Sequence, residues 1–264
     1  MDKVDFLNRE LNKRYGSVKR ARGNFLYTAR GVRLTDLYRE EGRALLGWPS
    51  QESAVTVFKN VLSRGINGSY STDFSYGMDK AVSLLFNSSR KCIFFAFKED
   101  ARNFAEKEFK DSFAWYKPWQ GESIDTQKDC ILFEPVFPWA QSIYAACLPC
   151  EWEGDREEKP FRSINVSAPL KAAMTRSVYN LLKALQTWQE KDWFLYDVYL
   201  KPYFTRKGPW LFPKVAEKDY EAFVLHCLDC HLVISPDYNI PSAVPFGAEK
   251  GVFELLKKNP FGGL

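Results

Sequence analysis

The chain has 264 residues, of which 45% are hydrophobic and 27% charged, and its formal net charge is +4. This balance is typical of a folded water-soluble protein and excludes a disordered, highly charged chain. No apolar stretch approaches the roughly 20 residues that a membrane helix needs, and the charged N-terminus lacks a secretory signal. We therefore expect a cytoplasmic protein without a membrane segment.

Positive charge is concentrated near the N-terminus. Residues 1–43 contain 11 Lys and Arg against 6 Asp and Glu, and they include the basic run of residues 19–22. Such a run can contact the phosphates of a nucleic acid or of another anion. It is more typical of a solvated arm. We expect the solvated arm, and no nucleic-acid partner.

The predicted elements begin with a helix and then a basic segment in residues 1–22, followed by a small β-unit in residues 23–48. Glycines punctuate the short apolar stretches of this unit, as turns between strands do. These glycines are Gly23, Gly31, Gly42 and Gly47.

Helical periodicity resumes after the β-unit. Residues 50–64 place apolar side chains at helical spacing, with Ser50 as N-cap, Ser53 three residues later and Gly65 as C-cap. Residues 77–86 predict another short helix.

The middle of the chain alternates strands and helices. Residues 91–97 form a continuous apolar run, which is typical of a strand buried on both faces. Residues 99–110 predict a helix, and two further buried strands follow at residues 130–133 and 143–148. This alternation predicts an α/β sheet.

A charged stretch at residues 151–159 is the predicted boundary between two lobes. Beyond it, Ser167 caps a strong helix that has Pro169 in its first turn. A second helix is predicted at residues 217–230 and a strand at residues 232–234. We therefore divide the chain into an N-terminal arm with a β-unit, a sheet domain and a small α+β C-terminal lobe, at residues 1–48, 49–160 and 161–264.

Five stretches, in chain order, carry a resemblance to a known family: residues 31–47, residues 90–109, Glu134-Pro135, residues 208–212 and residues 235–244. Their order resembles that of the fold-type I pyridoxal-phosphate aminotransferases. There they correspond to the opening β-unit, the first large-domain strand and helix, a Glu-Pro element and the small domain. The resemblance implies an aminotransferase-like α/β fold, a homodimer and a possible pyridoxal phosphate site.

The chain departs from the family's pattern where the cofactor phosphate binds. In the family, a Ser/Gly/Thr-rich turn after the first large-domain strand holds that phosphate at a helix N-terminus, where small residues permit close approach. Here the turn contains Phe97, Lys98, Glu99 and Asp100. Two carboxylates therefore stand where an anion would bind.

The Schiff-base lysine is a second departure. Only about 36 residues separate Glu134 from Leu170 in the next predicted helix, too few for the missing strands and helices. No Ser-Lys or Thr-Lys turn follows a buried strand, so we assign no catalytic residue and expect no transamination. Lys98, Glu134 and Arg206 remain as candidates for holding a cofactor or a small anion. Arg206 lies near the region where aminotransferases use an arginine to bind a carboxylate.

The six cysteines include two Cys-x-x-Cys pairs, Cys147 with Cys150 and Cys227 with Cys230. Two such pairs can form a tetrahedral zinc site. The 76 residues between them exceed the spacing of a short zinc ribbon, and Cys227 and Cys230 share a helix face with apolar residues. Buried structural cysteines are the alternative. We expect all four to be reduced and free of metal.

Three functions remain open at this point. The first is a non-catalytic aminotransferase-like protein that binds a ligand or a protein; the second is a pyridoxal-phosphate-dependent transferase with an unrecognised lysine; the third is a zinc-stabilised binding module. For the expected homodimer interface, the aromatic candidates are Tyr27, Trp48, Phe58 and Tyr70.

Overall fold

The computed structural model describes residues 2–48, 54–68, 70, 72–120, 128–153 and 162–262. Within these ranges the α-helices are α1 (Lys3–Tyr15), α2 (Ala54–Leu62), α3 (Phe74–Leu85), α4 (Lys98–Phe109), α5 (Ala168–Thr187), α6 (Glu190–Phe194), α7 (Asp197–Leu200), α8 (Tyr220–Asp229) and α9 (Glu254–Lys258). The strands are β1 (Val18–Arg22), β2 (Phe25–Thr28), β3 (Arg33–Asp36), β4 (Arg90–Phe95), β5 (Phe113–Tyr116), β6 (Cys130–Phe133), β7 (Tyr144–Pro149), β8 (Ser163–Ile164), β9 (Phe204–Lys207), β10 (Trp210–Pro213), β11 (Leu232–Val233) and β12 (Ser242–Ala243). The predicted α/β class is confirmed.

The chain forms two compact units. The first unit comprises Met1–Pro49 together with Thr187–Leu264, and the second comprises Ser50–Gln186. We predicted a C-terminal lobe that starts at residue 161, whereas the structure groups nearly all of α5 with the preceding sheet. The reason is the apolar face of α5, since residues such as Met174 and Val178 pack into the core of the second unit.

A five-stranded sheet forms the centre of the second unit, in the order β5-β6-β7-β4-β8. β4 and β6 each pair antiparallel with β7, and β5 pairs parallel with β6. β4, β5 and β6 therefore run in the same direction and end at the same edge of the sheet. Residues that follow β4 and β6 are thereby placed along one edge, with β7 between them.

Side chains of this sheet alternate between two apolar cores, as the period of a strand requires. One face, which includes Phe94 and Ile131, packs against α3 and α5. The other face, which includes Phe95 and Leu132, packs against α4. The continuous apolar runs seen in the sequence arise because both faces of the sheet are covered.

Two segments add detail to their sequence-based description. The basic run of residues 19–22, expected as a solvated arm, belongs to β1, a largely exposed strand that pairs antiparallel with β2. The helix predicted for residues 50–64 is α2, while its proposed capping residues Ser50 and Ser53 lie outside the described residues.

In the first unit, strands distant in sequence meet. β11 pairs parallel with β3, which places Leu232 beside Thr35 and Val233 beside Asp36. The sheet order is β1-β2-β3-β11, and a second sheet has the order β12-β10-β9. The chain leaves β3 directly into the turn Arg39–Gly42, so this sheet fixes where the turn begins.

No helix in the part of the chain that the structure describes is long and apolar enough to cross a membrane.

Candidate functional site

The turn Arg39–Gly42 has a left-handed backbone. Its φ angles are 55° at Arg39, 48° at Glu40, 61° at Glu41 and 109° at Gly42. An L-residue other than glycine pays roughly 1–2 kcal/mol for this conformation. Three such residues in succession are retained only where the surroundings impose the conformation, and strain of this kind clusters at ligand-binding and active sites.

The buried side chain of Arg39 connects the turn to the segment that contains Gly23 and Asn24. Its side chain is 1% exposed, Nη1 donates to the carbonyl of Gly23 at 2.9 Å, and Nη2 donates to Oδ1 of Asn24. Nε is buried too and has no hydrogen-bond partner in the structure. Burial lowers the pKa of Arg39, while the neighbouring Asp36 carboxylate opposes that shift. The turn therefore contains a buried guanidinium whose hydrogen-bond donors are not all paired.

Asp36 fixes the entry to the turn. Its side chain is buried, Oδ1 accepts from the backbone N–H of Arg39 at 3.0 Å, and Oδ2 accepts from Nε1 of Trp48 at 2.6 Å. Because Asp36 is buried and both of its carboxylate oxygens accept hydrogen bonds from the chain, it positions other groups and does not face a ligand.

Gly42 closes the turn against an indole ring. A Cβ atom at this position would lie 2.5 Å from Cη2 and 3.0 Å from Cζ3 of Trp210. Both the φ of 109° and this contact require glycine. The glycine that the sequence marked as a turn residue therefore has a packing role as well.

The outer surface of the turn is acidic. The side chains of Glu40 and Glu41 are 30% and 27% exposed, whereas Arg43 beneath them is 6% exposed. Arg43 pairs with Glu40 at 3.3 Å and with Glu41 at 3.6 Å, and the hydroxyl of Tyr38 donates to Glu41 at 3.3 Å. Burial raises the pKa of Glu40 despite the nearby Arg43. The carboxylates thus reach solvent while the cations stay buried.

Lys98 and Glu134 lie at the same edge of the five-stranded sheet. Lys98 is exposed at the start of α4, and its Nζ lies 5.2 Å from the ring centroid of Trp115. Glu134 is half-buried immediately after β6. Their predicted role in holding a cofactor or an anion stays a prediction.

Arg206 belongs to the first unit, and its guanidinium is already paired. Nε donates to Oδ1 of Asp197 at 2.5 Å, Nη2 donates to Oδ2 of Asp197 at 3.0 Å and also to Glu190, and Nη1 donates to the carbonyl of Gly208 at 2.9 Å. The hydrogen bond with Asp197 is the main cause of the raised pKa of Arg206. A ligand carboxylate would have to displace these partners.

The N-terminus of α4 does not fit the phosphate of pyridoxal phosphate. Its first turn carries Glu99 and Asp100, and the preceding Phe97 is exposed. Asp100 is 8% exposed and accepts a hydrogen bond from Nη1 of Arg162 at 2.9 Å. Acidic groups here stabilise the helix itself. A dianionic phosphate would instead meet two carboxylates at close range.

Lys171, in the first turn of α5, is a functional candidate that sequence reasoning missed. Its Nζ donates to Oγ of Ser75 at 2.9 Å and lies 5.7 Å from the ring centroid of Phe94. Desolvation lowers its pKa, and Asp79 opposes the shift. The available signal was its place between Leu170 and Ala172 at the border of the apolar face, where a lysine is partly desolvated.

The paired cysteines are distributed between the two units. Cys227 and Cys230 are buried in the first unit; in the second, Cys147 is buried and Cys150 exposed. Burial raises the pKa of Cys227 well above its usual range, which favours the protonated thiol over a metal-binding thiolate. Across the described ranges, no three side chains of His, Cys, Asp or Glu converge as metal ligands.

Comparison with known proteins identifies two bacterial proteins of similar sequence. An uncharacterized protein of Treponema pallidum (strain Nichols) is 27% identical over 89% of this chain and 91% of its own length. An uncharacterized protein of Borreliella burgdorferi is 24% identical over 91% of this chain and 88% of its own length. No family model matches the chain.

Solved structures with a similar fold include several aminotransferases. The ornithine aminotransferase of Plasmodium yoelii superposes with a TM-score of 0.65 at 13% identity, over 98% of each chain. An omega-transaminase of Sphaerobacter thermophilus gives 0.63 at 9% identity, over 91% of this chain and 89% of its own. The acetylornithine aminotransferase of Elizabethkingia anophelis gives 0.60 at 10%, over 97% of each chain.

These likenesses establish the class of fold. The chain has the fold of the fold-type I pyridoxal-phosphate aminotransferases, as the order of its sequence motifs predicted. At 9–13% identity, the likeness shows the fold alone.

Proposed function

We propose that this protein is a non-catalytic, aminotransferase-like binding protein, and that the turn Arg39–Gly42 contacts its ligand. The observation that carries the proposal is the succession of three residues other than glycine with left-handed backbone conformations. In this turn two carboxylates reach solvent, while the neighbouring arginines are buried. Backbone strain of this kind clusters at active sites, ligand-binding sites and switch regions, and a ligand-binding surface is the role that we propose here.

The charge distribution of the turn selects the ligand. Glu40 and Glu41 are its solvent-accessible charged groups, while Arg39 and Arg43 are buried below them. A small molecule with an amine or ammonium group would pair with these carboxylates, whereas a carboxylate ligand would be repelled. We therefore propose a cationic ligand for this turn. The small anion expected at Lys98, Glu134 and Arg206 is a separate prediction.

The proposal that the protein is non-catalytic is based on two features of the second unit. The first turn of α4 carries Glu99 and Asp100 where a phosphate would have to approach, and Asp100 is already paired with Arg162. Without a phosphate site the cofactor has no anchor, and the chain between Glu134 and Leu170 is too short for the family's lysine-bearing elements.

A homodimer is proposed on the basis of the fold class and the aromatic content. Of the four candidates for the interface, Tyr70 is 84% exposed. Phe58 contacts Trp139 at a centroid distance of 5.6 Å, Tyr27 is stacked by Arg20, and Trp48 donates to Asp36. Tyr70 is therefore the residue whose exposure favours an interface most. Light scattering that shows a monomer at tens of micromolar protein would contradict the dimer.

Ligand binding is tested with two probes of similar length and opposite charge, putrescine and succinate, by isothermal titration calorimetry. We expect putrescine to bind and succinate not to bind. Glu41→Gln should weaken putrescine binding about tenfold, which corresponds to about 1.4 kcal/mol. Glu221→Gln, an exposed glutamate on α8, is the matched control and should change nothing. Binding of succinate alone, or equal binding by both variants, would refute the proposal.

A second candidate function, an enzyme with an unrecognised lysine, is favoured by one observation. Lys171 is partly desolvated, so its lowered pKa increases the fraction of neutral, nucleophilic amine. Borohydride reduction in the presence of pyridoxal phosphate, followed by peptide mass spectrometry, tests this candidate. A single stoichiometric adduct on Lys171, absent in Lys171→Arg, would replace the non-catalytic proposal. Scattered substoichiometric labelling of exposed lysines would support the non-catalytic proposal.

A further inference from the structure

Two thiols face each other across neighbouring strands of the second unit. Cys92 in β4 is the antiparallel partner of Cys147 in β7, and their Sγ atoms lie 3.4 Å apart. Directly opposed residues of an antiparallel pair have Cα atoms about 4.5–5.5 Å apart. The Cα atoms of two residues joined by a disulfide lie about 4.4–6.8 Å apart. The sheet register therefore already provides the backbone spacing that a disulfide needs.

The two thiols differ in access. Cys92 is half-buried, whereas Cys147 is fully buried. Burial and the hydrogen bond to Cys92 raise the pKa of Cys147 well above its usual range. The backbone N–H of Cys92 donates to Oδ1 of Asp79 at 2.9 Å. Cys92 is thus the thiol that a reagent reaches first.

We propose that Cys92 and Cys147 form a reversible disulfide, with a low-molecular-weight disulfide such as oxidised glutathione as the oxidant. The Cys92 thiolate attacks one sulfur of the oxidant, which releases one thiolate and leaves a mixed disulfide on Cys92. The released thiolate accepts the proton of Cys147, and the Cys147 thiolate then attacks Sγ of Cys92. The second small thiolate leaves and is protonated by solvent. Two protein thiols are oxidised and one disulfide is reduced to two thiols.

The Cys-x-x-Cys spacing of Cys147 and Cys150 is the competing arrangement. Cys147 lies inside β7, which extends to Pro149. Three residues of extended chain span about 10 Å, which exceeds the roughly 7 Å that a disulfide permits between Cα atoms. Cys130 is excluded as well, because Ile131 is the residue opposite Cys147 and Cys130 therefore faces the other side of the sheet.

The test uses the full chain in glutathione buffers of increasing oxidised fraction, with free thiols then blocked by alkylation. Mass mapping without reduction should reveal one crosslink, between the peptides that contain Cys92 and Cys147, and a reductant should reverse it. The oxidised protein should also unfold at a temperature several degrees higher, because the crosslink restricts the unfolded chain.

Two variants make the result decisive. Cys150→Ser should leave the crosslink intact, whereas Cys92→Ser should abolish it while Cys150 remains the thiol that glutathione modifies. Circular dichroism establishes that each variant is folded. A Cys147–Cys150 crosslink, or a wild-type protein that stays folded and carries only mixed disulfides at every buffer ratio, would overturn the proposal.

Discussion

Oδ1 of Asp100 accepts a hydrogen bond from Nη1 of Arg162 at 2.9 Å, so the first turn of α4 already contains an anion paired with a cation of the same chain. The first turn of α4 carries Glu99 and Asp100, and their charge is unsuited to a dianionic phosphate. The likeness to aminotransferases therefore shows the fold and not a cofactor site.

Asp100→Asn tests how much the pair stabilises the protein. Arg162 is 61% exposed, so solvent screens the interaction and we expect a loss of no more than about 1 kcal/mol in the free energy of unfolding. Urea denaturation measures this loss, with Glu99→Gln as an exposed control. Neither variant should bind inorganic phosphate. Phosphate binding by Asp100→Asn would show that this one carboxylate blocks an otherwise intact site.

Gly42→Ala tests the strained turn. The added methyl group would meet Trp210 at 2.5 Å, and the φ of 109° disfavours any side chain, so we expect a loss of about 2–4 kcal/mol. Gly247→Ala is the control, because Gly247 also has a positive φ of 79° but no atom within 4 Å of the added Cβ. It should lose only about 1 kcal/mol. Equal losses in both variants would show that the Trp210 contact contributes nothing.

Much of the fold could be predicted because the information is local. Buried strands such as β6 and β7 appear as apolar runs, and α5 has a continuous apolar face. The short strands β8 and β12 consist of two residues each and carry no periodic signal. The grouping of α5 with the preceding sheet also escaped prediction, because an apolar face indicates that a helix is packed but not against which partner.

The candidate site was less predictable. Glycine at position 42 marked a turn, but nothing local indicates that Arg39, Glu40 and Glu41 adopt left-handed conformations, since these residue types disfavour them. The conformation depends on Asp36 and on packing against Trp210, which is remote in sequence. Lys171 and the facing thiols of Cys92 and Cys147 likewise arise from contacts between distant elements.

Glu40 predicts a specific dependence of stability on pH. Burial raises its folded-state pKa above the ordinary value of 4.5, so the folded protein binds this proton more tightly than the unfolded chain. Its contribution to stability is therefore largest below pH 4.5 and is lost as the pH rises through the folded-state pKa. The Glu40→Gln variant lacks this titrating group. Its free energy of unfolding should therefore rise relative to that of the wild type as the pH increases across this window.

The comparison is made by urea denaturation at several pH values, with Glu221→Gln as the control. Glu40 is about one-third exposed, so the slope difference should be modest, and the loss of its pairing with Arg43 adds an offset that does not depend on pH once Glu40 is ionised. A parallel pair of stability curves for the wild type and Glu40→Gln would contradict the raised pKa.

Cys227→Ala separates a packing cysteine from a zinc ligand. Cys227 is 1% exposed and lies in α8 beside the buried Phe223 and Val224. If it only fills the core, alanine leaves a small cavity and the loss is on the order of 1 kcal/mol. If it binds structural zinc, the loss is several kcal/mol, because metal binding then contributes directly to folding. We expect the small loss, measured by urea denaturation, and no change in the thermal unfolding of the wild type when a chelator is added. Stoichiometric zinc in the purified protein, released together with unfolding by the chelator, would contradict the packing role and support the zinc-stabilised module.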